Sequence, residues 1–191
     1  MRKCGLVTLA FFYHDFREDQ KKDLRGLLSS VLFQLCEQSD AYYDVLSGFY
    51  TTHRHGAQSP SDDALVHCFQ EILKLPGQAP IFLILDALDE CSSSFSMPSP
   101  RENVLVLMQK LIESQLPNLR ICITSRPEAE IMVALGPLTF RSISLHGERG
   151  QMEDIESYIK SAVNVDIRNR RWTAQDKQLV IDVLTRHADG M

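Results

Sequence analysis

None of the nine glycines in the 191-residue sequence begins a Gly-x-x-x-x-Gly-Lys-Ser/Thr motif. A loop whose backbone amides and lysine cradle phosphates is therefore missing. Positive charge is also scarce: 20 Lys and Arg stand against 25 Asp and Glu, for a net charge of −5. That balance excludes a protein that works by neutralising a nucleic-acid backbone. The only basic cluster, Arg168, Arg170 and Arg171, lies between helical patterns and reads as a solvated loop. No apolar run is long enough to span a bilayer. The stretch from Gly5 to Phe12 is short and soon meets Asp15, Arg17 and Glu18, and no secretory signal is present.

Cysteine is sparse and unpaired in pattern. Cys4, Cys36, Cys68, Cys91 and Cys122 show no short Cys-Cys spacing, which fits reduced thiols in a reducing, cytoplasmic compartment. Cys36, Cys68 and Cys122 fall on apolar faces and are expected to be buried. His53 and His55 have no thiol or carboxylate partner nearby, which argues against zinc. With 44% hydrophobic residues the chain can bury one real core.

Two stretches carry chemistry. Ile81 to Cys91 runs five apolar residues into Asp86, Asp89 and Glu90. A continuous apolar run suits a strand covered on both faces of a parallel sheet, and such sheets bind ligands beyond the carboxyl ends of their strands. There Asp86 could hold Mg²⁺ through its water shell, while Asp89 or Glu90 orients water. An acidic turn that merely caps the next element is the competing reading. Leu119 to Pro127 is a second β-prone run, ending in Thr124, Ser125 and Arg126, with Pro127 opening a helix. Between the runs, Val104, Leu105, Leu107, Met108, Leu111 and Ile112 recur at helical spacing. Strand, helix and strand make one right-handed crossover, so both polar ends should share an edge. Thr124, Ser125 or Arg126 could then approach a terminal phosphate. Alternatively, Ser125 caps the helix and Arg126 pairs with a surface acid.

Around these stretches the pattern predicts a core strand from Leu6 to Phe12 and a long helix bearing Leu24, Leu27, Leu28, Val31, Leu32 and Leu35. Further helices follow near Ala41 to Phe49, after Ser59, Pro60 and Asp62, near Met152 to Ala162 and from Thr173 to His187. Phe140 to Leu145 reads as a last strand. The Ser/Pro-rich segment from Ser92 to Pro100 is a loop that either covers a ligand or is idle.

Leu85-Asp86-Ala87-Leu88-Asp89-Glu90 resembles the extended Walker B of NACHT-type signalling NTPases of the STAND class, and Thr124-Ser125-Arg126-Pro127 resembles their sensor 1. Phe11 to Phe16, followed by Leu24 to Leu28, is similar to the fungal branch related to the nephrocystin-type N-terminal domain. The resemblance implies a three-layer, P-loop NTPase-like α/β domain over residues 1–150, incomplete for want of its phosphate loop, and a helical extension over 151–191. It implies Asp86 as metal ligand, Asp89 and Glu90 as the catalytic acids, and Thr124, Ser125 and Arg126 as nucleotide contacts. Mg²⁺ and ATP or GTP are the cofactors expected of an intact parent, and this chain alone is expected to hydrolyse nucleotide weakly or not at all. In that family the loop precedes the segment resembling Leu6 to Phe16, so the chain reads as a fragment of a larger switch.

Nucleotide and protein partners, or self-association, are the expected contacts, with no nucleic acid and no membrane. The second reading is a catalytically inactive scaffold derived from that fold. A small-molecule hydrolase using Asp86, Asp89 or Glu90 is disfavoured, because no nucleophile elbow or suitably spaced histidine accompanies the acids. A sheet without its phosphate-loop strand should expose either an unpaired edge or a central gap, and poor solubility should follow.

Overall fold

In the computed structural model, residues 6–93, 98–144, 149–166 and 171–188 are described. The chain divides into two compact units, Met1–Thr139 and Phe140–Met191. The first holds a parallel, three-stranded sheet, β1 (Thr8–Tyr13), β2 (Ile81–Asp86) and β3 (Leu119–Ile123), in the order β1-β2-β3. Helices α1 (Leu24–Cys36), α2 (Asp40–Thr52) and α3 (Asp62–Lys74) lie between β1 and β2, α4 (Pro100–Glu113) joins β2 to β3, and α5 (Ala129–Leu135) follows. The mixed α/β class and the crossover expected from the two polar-ended runs are both present.

Local chemistry sets these boundaries. Asp23 caps α1 by accepting the Gly26 N–H at 2.8 Å. Ser61 caps α3 through the Ala64 N–H. Ser99, Pro100 and Glu102 open α4 with a reciprocal capping box. Register then sorts side chains by face, since strand residues alternate. Thr8, Ile81 and Leu119 align, as do Ala10, Leu83 and Ile121, and then Phe12, Leu85 and Ile123. This face joins the buried stripes of α1, α3 and α4 in one core.

The opposite face differs from expectation. Phe11, Phe82 and Tyr13 are between 42% and 48% exposed, and Cys122 is exposed rather than buried. Among the described residues only one face of the sheet is packed, so β2 is not covered on both sides. An apolar run in a sequence cannot distinguish one covered face from two, because it records composition and not neighbours.

The sheet's edges differ as well. No gap interrupts it, since β1 pairs β2 and β2 pairs β3 directly. The outer edge of β1 is sealed by side chains. Gln38 accepts the Leu9 N–H at 3.1 Å and donates to the Leu9 carbonyl at 2.8 Å, and Gln34 does the same for Phe11 at 3.1 and 2.7 Å. On β3, the bonds from Ile81 N–H to the Asn118 carbonyl and from Thr124 N–H to the Leu85 carbonyl place even-numbered residues toward β2. Alternation aims the backbone of Ile121 and Ile123 outward, at an edge where no further strand pairs among the described residues.

In the second unit, α6 (Arg149–Val165) and α7 (Ala174–His187) form a helical pair around Ile159, Val163 and Ile181. Thr173 and Asp176 cap α7 reciprocally. The strand expected from Phe140 to Leu145 does not form: residues 140–144 are irregular and Phe140 is fully exposed, while Leu145 lies outside the described residues. β-Propensity alone made no strand there without a partner to pair.

Gly26 sits inside α1, where alanine ordinarily stabilises a helix by about 1 kcal/mol. Here a Cβ would meet the Gln20 carbonyl oxygen at 1.9 Å. Gly26→Ala should therefore destabilise the chain by about 2 kcal/mol, read as a lowered urea midpoint, against the sign that helix propensity alone gives.

Candidate functional site

The polar ends of β2 and β3 meet, and their contacts are direct. Thr124 donates its hydroxyl to the Asp86 carboxylate and accepts the Ala87 N–H at 3.1 Å through the same oxygen. The Thr124 carbonyl accepts the Leu88 N–H at 3.0 Å. Arg126 donates its backbone N–H to Asp89 at 3.0 Å, and its guanidinium stands 3.5 Å from the other Asp89 oxygen. Thus Asp86, Asp89, Thr124 and Arg126 are brought together. Ser125 lies between the last two, exposed and without a hydrogen bond to the acidic turn. Glu90 is half-buried at the turn's far side, where its charge reaches Arg17.

Ala87 makes this geometry possible. Its backbone is left-handed, at φ 53° and ψ 48°, so the chain reverses directly after Asp86 into the short helical turn Leu88–Glu90. A residue without a branched side chain is required there. Leu88 anchors the turn by burying completely in the core.

Beneath the turn lie residues that sequence patterns did not single out. Arg101, in the first turn of α4, is buried and donates to the Cys91 carbonyl at 3.1 Å and the Asp89 carbonyl at 2.6 Å. Its guanidinium is 3.5 Å from Glu130. His14 follows β1, its N–H bonded to the Asp86 carbonyl at 3.0 Å and its ring edge-on to Phe12. Neither His14 ring nitrogen has a hydrogen-bond partner, although the ring is only 2% exposed. Desolvation lowers its pKa from 6.5 to about 4; the Lys21 backbone, close to the ring but outside good hydrogen-bond geometry, pulls upward with Asp23 and Asp89, while Arg101 adds to the lowering. Beside it, Asp15 binds the Arg17 guanidinium through two bonds of 2.9 Å, which hold its carboxyl down at about 2. A histidine at a strand's end and an arginine in a helix's first turn are the signals that mark these residues. Both are too common to be read without the fold.

Cys91 donates its thiol to the Lys22 carbonyl, and burial pushes it up to about 12. That makes it a packed thiol and not a reactive one. Among the described residues no group of at least three His, Cys, Asp and Glu side chains could hold a metal ion by itself. The donor set that is present, the exposed Asp86 carboxylate and the Thr124 hydroxyl, consists of hard oxygens. It fits Mg²⁺ of the kind that keeps most of its water and shares phosphate oxygens, not a caged protein site.

Two outcomes test this account. Ala87→Val should destabilise the chain by about 1–2 kcal/mol in urea unfolding, while Ala87→Gly leaves it unchanged or more stable. For His14, the unfolded chain binds a proton between pH 6.5 and about 4 that the folded chain refuses. Stability contributed by the neutral ring is therefore full above that window and falls by about 3 kcal/mol as pH drops through it. His14→Phe should flatten that slope in urea midpoints collected from pH 7 to 4.5.

No described helix is long and apolar enough to cross a membrane. Comparison with curated proteins finds no match to the chain, and comparison with solved structures finds none. The family model described as nephrocystin 3, N-terminal, matches residues 2–126, well over half of the sequence, and the chain belongs to that family.

Proposed function

We propose that this chain is part of a NACHT-type, P-loop NTPase switch: the portion that holds Mg²⁺ and senses the terminal phosphate of ATP or GTP. The observation that carries this reading is the meeting of Asp86, Asp89, Thr124 and Arg126 at the carboxyl edge of two adjacent parallel strands. Asp86, with the Thr124 hydroxyl, is the metal's anchor. Bound there, Mg²⁺ would neutralise phosphate charge. Asp89 and Glu90 orient water, and Arg126, with Thr124 or Ser125, meets the terminal phosphate. Arg126 is exposed and can turn from Asp89 to an arriving anion at small cost. Nucleotide binding would then bias an oligomer-competent state, with self-association or a protein partner as the output.

The open edge and bare face support the same reading through topology. A strand added outside β3, running on into β1 at the sheet's other side, must cross back over the sheet in the direction opposite to the crossovers already present. Right-handedness then puts its helix on the face that α1, α3 and α4 leave uncovered. A strand, phosphate loop and helix would complete edge, face and anion site together. Within the chain itself, no glycine-rich loop supplies the main phosphate contacts.

A second reading, an inactive scaffold for other proteins, is favoured by one observation: Asp86 and Asp89 are already engaged by Thr124 and Arg126. A fluorescent ATP analogue with Mg²⁺ separates the two. Binding should be weak to the chain alone and strong when a phosphate-loop strand and helix precede it, and Asp86→Asn should weaken the latter at least about tenfold. Unchanged affinity in Asp86→Asn removes the metal assignment. No binding in either form leaves the scaffold.

A further inference from the structure

We infer that Arg101 is a positioning residue of the acidic turn: it sets where the Asp89 and Glu90 carboxylates stand by gripping the backbone between them. The carbonyls it binds, those of Asp89 and Cys91, bracket Glu90. A planar guanidinium spans two fixed acceptors in a way that an ammonium cannot. Its own place is fixed from three sides. The Arg101 N–H donates to the Ser92 carbonyl at 3.0 Å, the side chain is buried against the core, and Glu130 of α5 balances its charge at 3.5 Å.

A buried cation that only filled space would be costly, and an apolar side chain of similar volume would serve the core as well. Arg101 instead aims its donors at the turn that carries the Asp89 and Glu90 carboxylates. Arg126 holds that turn from the solvent side through the Asp89 carboxylate, and Thr124 holds it through the Ala87 and Leu88 amides. Arg101 is the inner half of the clamp. Its grip also links the turn to α5, the helix that begins three residues after Arg126. That the turn orients water rests on the nucleotide reading above; that Arg101 sets the turn's geometry does not.

The test uses the full chain with Arg101→Lys, which keeps the charge, and Glu130→Gln, which frees the guanidinium while leaving its carbonyl contacts. The first readout is the protection of the Arg126 amide proton against hydrogen exchange, followed by NMR, because that amide is bonded to the Asp89 carboxylate. Arg101→Lys should cut that protection to about half or less, with β1 and β2 amides unmoved, although Arg101 and Arg126 do not touch. Glu130→Gln should give a smaller change of the same kind. Arg126 protection unchanged in Arg101→Lys overturns the inference.

The second readout is Mn²⁺ with ATP, measured by water-proton relaxation, for Arg101→Lys, Asp89→Asn and the double variant. Each single change should weaken binding about tenfold and the double no further, because Arg101 acts through Asp89. Losses that multiply overturn the positioning role. If neither the chain nor the form preceded by a phosphate-loop strand and helix binds Mn²⁺-ATP while the Arg126 protection still falls, the nucleotide reading fails and the positioning role stands.

Discussion

Everything at the candidate site hangs on the parallel pairing of β2 with β3. Because the Thr124 N–H meets the Leu85 carbonyl and the Thr124 carbonyl meets the Leu88 N–H, the end of one strand is stitched to the turn that leaves the other. A slip of one residue would turn Thr124 to the opposite face and separate its hydroxyl from Asp86. The register is guarded by burial. Leu83 and Leu85 must enter the core together with Ile121 and Ile123, and the half-exposed face offers no equivalent set. The packed side of the sheet thus fixes the chemistry of its edge, although no core residue takes part in that chemistry.

The two sides of this sheet are treated differently. On β1, Gln34 of α1 and Gln38 in the turn after it imitate a neighbouring strand, satisfying the donors and acceptors of Leu9 and Phe11 so that nothing else can pair there. Among the described residues nothing comparable protects Ile121 and Ile123 on β3. Phe11, Phe82, Tyr13 and Cys122 stay exposed on the sheet's second face. A parallel sheet in water is normally covered on both faces. One closed edge, one open edge and one bare face together describe a surface that is finished in one direction only.

Much of this was legible in the sequence, and what was not has physical reasons. β2 and β3 were readable because a strand's end announces itself when apolar residues give way to acids or hydroxyls, and α1, α3 and α4 were readable from leucines at helical spacing. That the polar ends of β2 and β3 share an edge followed from reading strand, helix and strand as one crossover, but which side chains meet there came only from the fold. Exposure was different. Whether Cys122 is inside depends on which face the helices choose, and the expected strand after Thr139 needed a neighbour that the local pattern could not supply. Arg101 and His14 were hidden for another reason: their importance comes from contacts with Cys91, Asp89 and Asp86, made across folds of the chain that spacing does not encode.

Those hidden residues explain how so polar a turn stays in one conformation. The acids on its outer side can be satisfied by solvent, Thr124 or Arg126, and are free to exchange among them. The inner side has no such freedom, for Arg101 is buried with its charge and must keep the carbonyls it has found. Burial holds the His14 pKa down, and the charge of Arg101 adds to that lowering against the pull of Asp23 and Asp89. Left-handed Ala87 then carries the chain from the sheet into this fixed arrangement. The turn is gripped where it faces the core and exposed where it faces solvent, the division of labour that the proposed anion-sensing role would require.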